Sequence, residues 1–118
     1  MDNELDVFGK KFVEEVYDYA LVDWQGIVSG KAKRGVLADS FKEHFGENLN
    51  QSEKERLLWL ISEVIETTMF YELNFFEQNP DYLLSTSDEE SVNLTSISDG
   101  LAGELVSDQG WIARYAGK

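Results

Sequence analysis

The chain has 118 residues, no cysteine, and 23 acids against 10 bases, a net charge of −13. This length suits one domain with a buried core, and 42% apolar residues exclude a chain disordered throughout. Disulfides and thiolate metal sites are excluded, nucleic acid and anionic membranes are disfavoured as partners, and a reducing cytoplasm is the expected setting.

No window holds the run of about 18 apolar residues that a membrane helix needs. The opening MDNELDVFGKK lacks the apolar stretch of a secretory signal. The charge is unevenly distributed. Residues 57–113 hold eleven acids and no Lys or Arg, whereas residues 1–56 hold twelve acids against eight bases. A segment without counter-charges of its own attracts basic surfaces.

Residues 4–28 read as a first helix. At about 100° per residue, Leu5, Phe8, Phe12, Val16, Tyr19, Ala20 and Ile27 share one face, with Val13 and Trp24 at its margin. Ser29-Gly30 is a stop signal. Residues 31–45 read as a second helix, with Leu37, Phe41, His44 and Phe45 on one face and Gly46 at its end. Its start carries a basic cluster, Lys31, Lys33 and Arg34, for which ion pairs with acids elsewhere are expected.

Residues 50–79 read as the third and longest helix, about 45 Å at 1.5 Å per residue. Asn50 and Glu53 form a capping-box pair at its start, and Asn79-Pro80 ends it. Leu57, Leu58, Ile61, Val64, Ile65, Thr68, Met69, Phe75 and Phe76 form a broad apolar face, with Glu72 near its centre. Trp59, Glu63, Glu66, Phe70, Leu73 and Glu77 form an aromatic and acidic stripe on the other side.

After Pro80 the texture changes. Asp81–Ser91 ends in the acidic loop SDEES. Val92–Ile97 alternates weakly, and 103–106 and 111–115 flank Ser107-Asp108-Gln109-Gly110 as in a β-hairpin. The expected fold is therefore α+β, mostly α, in a single domain 1–118. Its helical part is 1–80, and 81–118 supplies short strands and loops, with a small antiparallel sheet on the helices.

The residues bear on three chemistries. Glu15 and Asp18 form ExxD on the first helix, and Glu63 and Glu66 form ExxE on the third. Acids three apart on a helix share a face and can share a hard cation such as Mg²⁺. This resembles the all-α nucleotide pyrophosphohydrolases of the MazG type, in which ExxE precedes ExxD. The order here is reversed, so a solvated acidic face is expected, with no metal or other cofactor. His44 is the only histidine, and position 41 is Phe, so the Glu-x-x-His of a di-iron bundle is missing. No nucleophile elbow or phosphate loop occurs, and no catalytic residue is assigned.

The third chemistry is partner binding. Trp59, Glu63, Glu66, Phe70 and Glu77, with Asp88, Glu89 and Glu90 of the SDEES loop, combine rings with carboxylates. Rings supply buried area and cation–π contact, and carboxylates supply steering and Arg capture. The competing structural role is that the C-terminal strands cover Trp59 and Phe70. In size, lack of cysteine, the base-free stretch and the acidic–aromatic helix, the chain resembles small acidic bacterial immunity proteins. That resemblance implies a binding protein that neutralises a basic partner, a toxin domain. A metal-dependent phosphohydrolase and a DNA mimic are the alternatives.

Overall fold

The computed structural model describes residues 3–32, 35–88 and 90–117. The chain divides into a terminal unit, residues 1–18 with 66–118, and a central unit, residues 19–65.

Helical hydrogen bonding runs from Glu4 to Ser29, through α1 (Glu4–Phe12), a π-helical segment (Val13–Asp18) and α2 (Tyr19–Ser29). Asn3 caps the start, its Oδ1 accepting from the Asp6 N–H at 2.7 Å. The buried positions are Leu5, Gly9, Val13 and Tyr17, each four residues after the last. In an α-helix every such step overshoots a full turn by about 40°. The wider π turn takes back part of that overshoot, so Val13 and Tyr17 stay on the buried side. The even 100° count instead favoured Val16 and Tyr19, and both are exposed.

α3 (Val36–Phe45) starts five residues later than the sequence suggested and ends at Gly46 (φ 75°), whose N–H donates to the Lys42 carbonyl at 2.7 Å. Lys33 and Arg34 of the basic cluster lie outside the described residues. α4 (Gln51–Gln78) matches the expected third helix within a residue at each end. Its capping box forms in both directions. Glu53 N–H donates to Asn50 Oδ1 at 2.8 Å, and Asn50 N–H donates to Glu53 Oε1 at 3.0 Å.

The expected C-terminal sheet is absent among the described residues. Residues 84–86 and 92–94 form one isolated antiparallel bridge, Ser85 with Asn93, held by the Thr86 N–H donating to the Val92 carbonyl at 2.9 Å and the Leu94 N–H to the Leu84 carbonyl at 2.8 Å. The expected hairpin is a pair of short helices, α5 (Leu101–Val106) and α6 (Trp111–Tyr115). Leu101, Ala102 and Leu105 are buried, a helical spacing that strand alternation does not give. Gly110 has φ −76°, so it supplies no left-handed turn position. A Cβ there would lie 2.6 Å from the Glu104 carbonyl oxygen and 2.9 Å from that of Leu105. Glycine lets α6 start directly against the end of α5.

α6 packs on α1 and the π-helical segment. Trp111 is fully buried, edge-on to Phe8 at 5.7 Å, with its ring against Gly9. Its Nε1–H donates to Asp6 Oδ1 at 3.2 Å, and Arg114 pairs with the same oxygen at 2.9 Å. The Gly117 N–H donates to the Asp18 carboxylate at 3.1 Å. The fully buried large side chains of this unit also include Met69, Leu73, Leu94, Leu101 and Leu105. In the central unit α2 packs on α3, and the buried apolar residues among those described are Val28, Ala38 and Phe41. Among the described residues no helix is long and apolar enough to cross a membrane.

Candidate functional site

The residues of the expected acidic–aromatic stripe are divided between the two units and take different roles. Trp59 and Glu63 belong to the central unit and are exposed. Glu66, Phe70, Glu77, Asp88 and Glu90 belong to the terminal unit. Glu77 is committed internally, its Oε1 accepting the Ala102 N–H at the start of α5. A carboxylate there satisfies an orphan donor and complements the positive helix end. Asp88 knits its own loop, its Oδ1 accepting from the Ser91 N–H at 2.9 Å and the Thr86 hydroxyl at 3.2 Å. Phe70 and Glu66 are half-buried, Phe70 lying edge-on to Tyr71 at 5.4 Å. Glu90 is exposed, and Glu89 lies outside the described residues.

The carboxylates of the metal alternative are not assembled. Glu15 pairs with Lys11 at 3.7 Å, and Asp18 receives the Gly117 N–H. Among the described residues no group of three or more His, Cys, Asp or Glu side chains could hold a metal ion. His44 is exposed on α3, its Nδ1 2.8 Å from the Ser40 carbonyl oxygen.

Which side of α4 is covered decides what it offers. In its C-terminal half Met69 and Leu73 are buried. Tyr71 and Phe75 lie about 200° round from them, on the far side. Tyr71 is 63% and Phe75 45% exposed. Glu72, expected near the centre of the covered face, is exposed too. Thr67, Thr68, Tyr71, Glu72, Phe75 and Phe76 recur one turn apart and line an open groove of about 580 Å³. Tyr82, itself exposed, continues it, its ring 5.6 Å from Phe75. Asp81 stands beside it in the chain and is exposed. Among the described residues Glu72 forms no ion pair, and the last turn of α4 carries no base. The negative end of a long helix therefore adds to the carboxylates, and no base in that turn offsets it.

The unit already contains one guanidinium held between a ring and a carboxylate. Arg114 lies over the Tyr115 ring at 5.0 Å and pairs with Asp6. The hydrogen bond from Arg114 holds the Asp6 carboxyl below its ordinary range, assisted by the Trp111 N–H and opposed by burial. The same bond raises Arg114. Tyr71, Glu72 and Phe75 likewise place rings and a carboxylate along one groove.

Charge separates the two units. Residues 1–18 and 66–118 hold sixteen acids and four bases, a net −12. Residues 19–65 hold seven acids and six bases, a net −1. The central unit instead exposes apolar side chains. Phe45, Leu49, Leu57, Trp59 and Leu60 line a groove of about 520 Å³, with Glu53 and Arg56 on its rim.

The sequence reading placed Phe75, Leu57 and Phe45 on covered faces and assigned no role to Tyr71. One signal was available. Leu57-Leu58-Trp59-Leu60-Ile61 goes more than once round a helix, so no single neighbour can cover it. Comparison with protein-family models, curated proteins and solved structures yields no match.

Proposed function

We propose that this chain is a protein-binding domain that neutralises a basic partner, in the manner of an immunity protein against a toxin domain. The contact surface is the exposed stripe Tyr71, Glu72 and Phe75 of α4, continued by Tyr82. The observation that carries the reading is this stripe of exposed rings and an unpaired carboxylate in a unit of net charge −12. An Arg or Lys side chain laid on these rings gains cation–π contact, about 0.5–2 kcal/mol depending on desolvation. Glu72 adds charge-assisted hydrogen bonding, and the field of the unit speeds encounter at low salt.

The test is titration of the purified chain with the product of the adjacent gene. Phe75→Ala and Tyr71→Ala each lower affinity about tenfold or more, the loss of an interface anchor. Rising salt weakens binding. Equal binding by both variants removes the reading, and so does binding that salt leaves unchanged.

A further inference from the structure

We infer that the central unit is a self-association surface, on which a second copy of this chain docks through the groove around Trp59. Trp59 is 63%, Phe45 51% and Leu60 50% exposed, and all three line that groove with Leu49 and Leu57. Large rings and leucines left open side by side mark a contact surface, because water contact with them is unfavourable.

Charge selects the occupant. Two copies meeting through the terminal units would bring −12 against −12, whereas the central units bring −1 against −1. The groove is where like chains repel least. Its rim is also self-complementary. A two-fold pair presents one patch to itself, so every charge needs its opposite on the same patch. Glu53 and Arg56 stand three residues apart on α4, and both line the groove, so each copy's Glu53, one oxygen of which caps its own helix, can meet the other's Arg56 through its second oxygen. A uniformly basic partner would be repelled by Arg56.

The unit's own core argues the same way. Within residues 19–65 the buried apolar side chains among the described residues are Val28, Ala38 and Phe41, while Leu37, Val36 and Tyr19 are also exposed. A small unit with so few buried side chains commonly completes its core through a second copy.

This inference does not rest on the proposed function, and the two respond oppositely to salt. Screening weakens attraction to a basic partner and strengthens the pairing of two net-acidic chains. Sedimentation velocity of the full chain, at about 0.05 M and about 0.5 M salt, is the test. The expected result is a species of twice 13.5 kDa whose fraction grows with protein concentration and with salt. Trp59→Glu and Leu60→Glu each weaken dimerisation at least tenfold, and Tyr71→Ala leaves it unchanged. Both glutamate variants change exposed positions, so circular dichroism of each matches the parent. A single 13.5 kDa species under all conditions overturns the inference. So does a dimer that both glutamate variants leave intact, or one that dissociates as salt rises.

Discussion

Gly9 and Gly103 both stand inside helices, and their surroundings predict opposite outcomes on substitution by Ala. Ala is favoured over Gly in a helix by about 1 kcal/mol. At Gly103 a Cβ meets nothing within 4 Å, so Gly103→Ala is stabilising by up to about 1 kcal/mol. At Gly9 a Cβ would lie 2.2 Å from the Trp111 ring, and a fully buried indole has no room to retreat. Overpacking costs about 1–3 kcal/mol, which outweighs the helical gain, so Gly9→Ala lowers the urea midpoint. The same junction sets a pH dependence. The Asp6 pKa is lowered in the folded chain, so its contribution is fully present above the ordinary value of 3.8. It is lost as pH falls through the lower folded value. Acid unfolding of Asp6→Asn, followed by circular dichroism, is therefore shallower below pH 3.8 than that of the parent. The effect is small, because Arg114 is 38% exposed and solvent screens the pair.

At the scale of elements, legibility followed the strength of the local signal. The Asn50–Glu53 box and Asn79-Pro80 fixed both ends of α4, because caps and proline act on the backbone of their own neighbourhood. The buried side of α4 was legible only in part. Met69 lies on the face the periodicity indicated, but apolar side chains surround the helix, and the burial of Leu73 in place of Phe75 depends on contacts remote in sequence. The π-helical turn was equally hidden. It moved burial from Val16 to Val13 and Tyr17 without changing the helical pattern. α5 and α6 were misread because two short apolar segments round a Gly-containing turn suit either a hairpin or a helical corner. Glu77 and the packing of Trp111 on Gly9 decide between them, and both are long-range. Removing that cap tests the point. Glu77→Ala costs about 0.5–2 kcal/mol, and the Ala102 amide exchanges faster with deuterium. An unchanged exchange rate would leave α5 without need of Glu77.

At the scale of the whole molecule, the total of −13 conceals two different surfaces. Nearly all the excess acid lies in the terminal unit, where Tyr71, Glu72 and Phe75 stand open. The central unit is close to neutral and exposes Trp59. The composition implied a basic partner, but the stripe read from the sequence crossed both units and included acids occupied in folding. Calorimetric titration of the product of the adjacent gene into the parent chain, Phe75→Ala and Trp59→Ala separates the two surfaces. Phe75→Ala is expected to lose about tenfold or more in affinity, Trp59→Ala to bind as the parent does, and salt to weaken all three. Loss on Trp59→Ala with none on Phe75→Ala would contradict the proposed contact surface.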